Sequence, residues 1–128
     1  MRLLLDTQVL IWALIEPDRL GSSLRSILED PAQEVLFSAA SLWEIAIKSA
    51  LGRADFKVAP EEILTAAVET GFGELPVRSA AALKVATLPL HHRDPFDRLL
   101  VAQALTEPAR LYTADPALEP YSELVVRV

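Results

Sequence analysis

Cysteine is absent from this 128-residue sequence. That absence excludes zinc fingers, iron–sulfur centres, disulfide scaffolds and cysteine nucleophiles together. It also agrees with a reducing compartment. Glycine is scarce, and Gly21, Gly52, Gly71 and Gly73 fit no phosphate-loop spacing. No Gly-x-Ser-x-Gly elbow is present. No apolar run approaches the ~20 residues that a membrane span requires. The opening Met1-Arg2-Leu3-Leu4-Leu5-Asp6-Thr7 meets an acid after three apolar residues, too few for a signal-peptide core. The expectation is a soluble cytoplasmic protein with no membrane association. Basic charge is in deficit, with 12 Lys and Arg against 18 Asp and Glu, a net of −6. This argues against a broad basic surface for nucleic acid. It leaves room for a nuclease whose phosphate contacts run through metal ions.

What is present is an ordinary globular composition, 52% hydrophobic and 23% charged. A chain of this length can bury roughly two-thirds of its unfolded surface and needs no staple. We expect one domain over residues 1–128. Apolar segments of strand length alternate with longer helical ones. Strands are expected at Arg2–Leu5, Glu34–Ala39, Leu75–Val77, Leu111–Thr113 and Leu124–Val128. Pro76 marks the third as an edge strand. Helices are expected at Val9–Ile15, Ser22–Asp30, Ser41–Leu51, Pro60 to about Gly71, Ser79–Leu88, and from Asp94-Pro95 to Pro108. Strands alternating with helices imply an α/β fold with a mainly parallel sheet.

Asp6, Glu44, Asp97 and Asp115 share a local setting. Asp6 and Asp115 each follow a strand. Glu44 and Asp97 are placed in the first turns of helices. In a parallel sheet the C-terminal ends of all strands lie on one edge, and ligands bind there. Topology therefore brings Asp6, Glu44 and Asp115 close, and Asp97 joins them if its helix starts at the same edge. Each acid also has a plainer explanation. Glu44 completes a capping box, Ser41-x-x-Glu44, or pairs with Lys48 one turn on. Asp94 caps a helix whose dipole favours Asp97, and Asp6 and Asp115 suit caps or turns. As a set these explanations weaken, because capping needs no charge and clustered carboxylates repel unless a cation sits among them. Oxygen ligands without thiolates favour Mg²⁺ or Mn²⁺. His91 and His92 suit substrate contact or loop structure better than ligation. Trp12 and Trp43 are expected in the core or at an interface.

These blocks resemble the PIN-domain family, and within it the VapC-type toxins of bacterial toxin–antitoxin pairs. The resemblance is carried by Leu3–Thr7 with Trp12, by Ser38–Lys48 around Trp43-Glu44, by Leu88–Ala104 with its His91-His92-Arg93-Asp94-Pro95-Phe96-Asp97-Arg98 core, and by Leu111–Pro116. The resemblance implies a three-layer α/β/α sandwich with a five-stranded parallel sheet in the order 3-2-1-4-5. It implies a Mg²⁺- or Mn²⁺-dependent endoribonuclease, usually a homodimer, acting on RNA and neutralised by a VapB-type antitoxin. Asp6, Glu44 and Asp97 match the three core acids, and Asp115 matches the more variable fourth. Asp94, Thr7 and Thr113 are expected to support them. Arg93, Arg98 and His92 are candidates for substrate contact. The rival readings are a non-catalytic module of the same fold whose acidic pocket docks a basic partner and, more distantly, a phosphomonoesterase.

Overall fold

A computed structural model describes residues 1–52 and 58–128. In chain order the elements are β1 (Leu3–Leu5), α1 (Thr7–Ile15), α2 (Ser22–Glu29), β2 (Val35–Ser38), α3 (Ala39–Ala50), α4 (Pro60–Thr70), β3 (Gly73–Leu75), α5 (Ser79–Lys84), α6 (Pro95–Thr106), β4 (Arg110–Thr113) and β5 (Val125–Arg127). Short 3-10 turns at Pro17–Arg19, Val85–Thr87 and Pro116–Tyr121 complete the list. Among the described residues no helix is long and apolar enough to cross a membrane.

The strands form one sheet in the order β3-β2-β1-β4-β5, and every pairing is parallel. This is the expected sandwich and strand order. Leu3 lies opposite Val35 and Arg110, and Leu5 opposite Phe37 and Tyr112. Side chains alternate across a strand, so each short apolar run supplies both faces of the sheet. Leu3, Leu5, Val35, Phe37 and Tyr112 pack with Val9, Leu10, Ile45 and Ile63 of the helices on one side. Leu4, Leu36 and Leu111 pack with Leu100, Val101 and Ala104 of α6 on the other. Burial on both faces explains why these strands read as continuous apolar runs.

Several boundaries differ from expectation. The edge strand is Gly73–Leu75, two residues earlier than Leu75–Val77, and Pro76 lies just beyond it. Proline has no N–H to add to a ladder, so it ends this strand. The fifth helix is α-helical only to Lys84 and finishes as a 3-10 turn. Helix α3 starts at Ala39, capped by Ser38, whose Oγ accepts from the Ala40 amide. The capping box at Ser41 is therefore absent, and Glu44 sits in the second turn. Helix α4 ends on Gly71, whose φ of +94° is left-handed backbone that glycine adopts without strain.

One buried polar bridge joins the layers. Ser38 Oγ donates to Gln103 Oε1 (2.6 Å), and Gln103 Nε2 donates to the Pro76 carbonyl (3.3 Å). Gln103 thus ties α6 to the ends of β2 and β3. Removing it leaves buried polar groups unpaired at a cost of about 1–3 kcal/mol, beyond any cavity left behind. Gln103→Ala is expected to lower the urea midpoint accordingly, with an unchanged dependence on denaturant concentration. An unaltered midpoint would show that the bridge contributes nothing.

Candidate active site

The C-terminal edge of the sheet carries an open cleft of about 440 Å³, lined by Asp6, Glu44, Lys48, Asp94, Asp97 and Asp115 among others. Topology explains the convergence. Asp6 leaves β1, Asp115 leaves β4, and Glu44 lies on the helix that leaves β2. Helix α6 runs into β4, so it must start at the edge where parallel strands finish. That places Asp97 beside the others, the point that sequence could not decide.

Each acid has polar partners close by. Asp6 caps α1, its Oδ1 accepting from the Val9 amide (2.8 Å), while Thr113 Oγ1 donates to Oδ2. Glu44 Oε1 accepts from Thr7 Oγ1 (2.6 Å), and Lys48 Nζ pairs with Oε2 (2.6 Å). Ser41 Oγ lies 3.0 Å from Thr7 Oγ1, so a buried hydroxyl pair backs this carboxylate. Ser41 and Glu44 are three residues apart and share one face of α3. Asp94 Oδ1 accepts from the Phe96 and Asp97 amides and caps α6. Asp115 Oδ1 caps the following 3-10 turn through the Ala117 amide (2.9 Å). His92 Nε2 lies 3.1 Å from Asp97 Oδ2 and 2.9 Å from Asp115 Oδ2.

Two of these acids are strongly perturbed. Burial raises Asp6 to about 6, against the lowering effect of the Thr113 hydroxyl and the Val9 and Ala114 amides. Burial raises Asp97 to about 7, reinforced by the charges of Asp94, Asp6 and Glu44 and opposed by His92. Carboxylic acids titrating near neutrality in a cleft are where proton and metal chemistry is found.

The other expected positions fall as follows. The Arg98 guanidinium is turned onto the carbonyls of Val85, Leu88, Pro89 and His92 and onto Tyr121 Oη. These bonds tie down the loop before α6. Arg93 is exposed on that loop. Trp43 is not in the core: it is 60% exposed and meets Phe96 edge-on, with ring centroids 5.2 Å apart. Trp12 is half-buried against the core and carries Arg19 over its ring. Sequence reasoning missed Ser41 as a partner of Thr7, and Tyr121 altogether. Nothing local to Tyr121 signals a contact with a loop some thirty residues earlier.

Comparison with known proteins settles the lineage. The PIN domain family model matches residues 3–124. This chain belongs to the PIN-domain family. Its structure is similar to the crystal structure of VapBC2 from Rickettsia felis bound to a DNA fragment from the promoter, with a TM-score of 0.70 and 14% identity, covering 100% of this chain and 98% of that one. It is similar to DNA-bound VapBC from Salmonella typhimurium (TM-score 0.66, 16% identity, 99% and 96% covered). It is also similar to FitAcB from Neisseria gonorrhoeae (0.56, 24%, 90% and 88%). At these identities the likeness establishes the shared fold. No curated protein matches the sequence.

The cleft of this PIN domain fits a hard divalent cation. Its donors are carboxylate oxygens with no thiolate, and burial makes their negative charge costly without a counter-ion. Asp6, Glu44, Asp97 and Asp115 line the cleft and could contribute oxygens to it. His92 Nε2 and oxygens of Asp97 and Asp115 lie within 4.8 Å of one another.

The raised acids set the sign of a pH effect. Unfolded aspartates lose their protons near pH 4, whereas Asp6 and Asp97 keep theirs until about 6 and about 7. Between these limits the native state binds more protons, so metal-free stability falls as pH rises. Asp6→Asn keeps the helix cap, since Asn serves there as well as Asp. It removes a buried charge worth roughly 2–3 kcal/mol at pH 7.5. We expect its melting temperature in EDTA to exceed wild type by ~10 °C at pH 7.5 and to match it at pH 4. A lower melting temperature for the variant at pH 7.5 would contradict the assignment of Asp6 as a strained carboxylate.

Proposed function

We propose that this PIN domain is a Mg²⁺- or Mn²⁺-dependent endoribonuclease and the toxin of a toxin–antitoxin pair. One observation carries the reading: Asp6, Glu44, Asp97 and Asp115 line a single cleft at the C-terminal sheet edge, with Asp6 and Asp97 raised toward neutrality by burial. A non-catalytic docking pocket needs surface acids, and gains nothing from burying them.

A bound Mg²⁺ or Mn²⁺ ion would supply an activated water at neutral pH and offset charge growing on the phosphate oxygens. The chain's own residues supply position. Asp6 is fixed at both oxygens by the Val9 amide and the Thr113 hydroxyl. Glu44 is fixed by Thr7 and Lys48. Preorganised carboxylates need no rearrangement when substrate arrives, which is how electrostatic catalysis is built into a fold. The open cleft admits a polynucleotide strand, and its carboxylates would repel the phosphate unless a cation offset their charge. Attack by water leaves a 5′-phosphate and a 3′-hydroxyl. The ribose 2′-hydroxyl takes no part as nucleophile, so weak cleavage of single-stranded DNA is expected.

The partner we propose is a VapB-type antitoxin, supported by the likeness to the VapBC and FitAcB structures. An arginine is the side chain best suited to silence this cleft, because guanidinium stays charged and bridges two carboxylates at once. The active assembly we propose is a homodimer working in the cytoplasm.

Purified protein is expected to cut a single-stranded RNA oligomer in Mg²⁺ or Mn²⁺, to stop in EDTA, and to leave a chromogenic phosphate monoester intact. Asp97→Asn should lower the cleavage rate by roughly a hundredfold or more while the protein stays folded. Mass spectrometry of the products should show 5′-phosphate ends. Undiminished cleavage in EDTA, or by the Asp97→Asn variant, would refute the metal mechanism.

A further inference from the structure

We propose that His92 is a positioning residue, a hydrogen-bond donor that draws Asp97 and Asp115 together, and not a ligand of the ion they would hold. This rests on the metal-site reading above. Distance alone leaves the two roles open. His92 Nε2 is 3.1 Å from Asp97 Oδ2 and 2.9 Å from Asp115 Oδ2. Such separations suit an N–H shared by two carboxylates. They equally suit neighbouring ligands of one octahedral ion, which lie about 3 Å apart when each is ~2.1 Å from the metal.

The far side of the ring decides. The Arg93 amide donates to His92 Nδ1 at 2.9 Å, with the Asp94 amide 3.5 Å away. A backbone N–H aimed at Nδ1 needs a lone pair there, so the ring proton sits on Nε2, facing the carboxylates. A metal-bound Nε2 would need its own lone pair and would push the proton onto Nδ1. Two N–H groups would then point at each other across 2.9 Å.

The loop carrying His92 is held firmly enough for this to matter. Tyr121 Oη accepts from the His92 amide (2.9 Å) and the His91 amide (3.1 Å). Arg98 Nη1 donates to that same hydroxyl (3.1 Å) and to the Pro89 carbonyl (3.0 Å). Tyr121 follows Asp115 in the chain, and Arg98 follows Asp97. One loop is thus pinned from both acids' own segments, and its imidazole closes the triangle. Asp115 is the more open of the two acids, with Oδ1 already spent on its cap. The His92 N–H is the contact that turns its other oxygen toward Asp97.

The test uses the full chain and Mn²⁺ as probe. The His92→Gln side chain places an amide N–H at the same number of bonds from Cβ as the imidazole Nε2. The His92→Asn side chain reaches only as far as Nδ1. We expect His92→Ala and His92→Asn to bind Mn²⁺ about tenfold more weakly by calorimetry, as loss of a metal-site supporting group does. We expect His92→Gln to restore affinity to within about threefold of wild type. Nitrogen NMR of the metal-free protein should find the ring proton on Nε2. Pulsed electron paramagnetic resonance of the Mn²⁺ complex should show no directly bound imidazole nitrogen. A directly bound nitrogen, a proton on Nδ1, or full Mn²⁺ affinity in His92→Ala would each overturn the inference. If wild type bound no Mn²⁺, the metal-site reading itself would fall, and the NMR experiment separates that failure from a wrong ring assignment.

Discussion

Asp6, Glu44, Asp94, Asp97 and Asp115 face one cleft, and carboxylates brought this close repel unless donors or a cation hold them. Much of the polar chemistry of the C-terminal edge answers that constraint. Thr113 and the Val9 amide serve Asp6, Thr7 and Lys48 serve Glu44, and His92 serves Asp97 and Asp115. These donors order the acids without cancelling their charge. Burial still wins at Asp6 and Asp97, where both remain above the usual carboxylate range. The metal-free protein therefore carries a local destabilisation that a divalent cation would relieve. Stability is given up at the place where chemistry is expected, a common trade in functional sites.

The apolar framework makes this trade tolerable. Leu4, Leu5, Phe37 and Leu111 are fully buried between two helical layers. Their packing fixes where each strand ends, and so fixes where Asp6 and Asp115 emerge. The Ser38–Gln103–Pro76 bridge does the same for the helices, tying α6 to the start of α3. Through it Asp97 and Glu44, carried on elements from opposite sides of the sheet, keep a constant relation. Rigid elements rather than loops therefore carry most of the site, the loop holding His92 being the exception.

That loop is organised by side chains whose roles are indirect. Arg98 and Tyr121 spend their polar groups on backbone atoms and on each other. The exposed Trp43 meets the half-buried Phe96 edge-on, each next in sequence to an acid of the cleft, Glu44 and Asp97.

The sequence by itself determined the fold class, the strand order through its family resemblance, and the acids worth examining. Alternating apolar runs and helical segments, punctuated by proline and glycine, are local signals that burial on both sheet faces makes consistent. Element ends were less legible. Ser41-x-x-Glu44 has the form of a capping box, yet Ser38 caps α3, because the chain leaves β2 directly into the helix. Pro76 was legible as an edge signal, but not that it would end the strand. Only the tertiary structure decided that Asp97 joins the other acids, since this depends on the direction in which α6 returns to β4. It also decided that Arg98 faces the loop, that Trp43 is exposed, and that Tyr121 organises a segment far from it in sequence. Local pattern records what each residue prefers. Which groups meet across the sheet depends on chain direction and packing, and those belong to the whole fold.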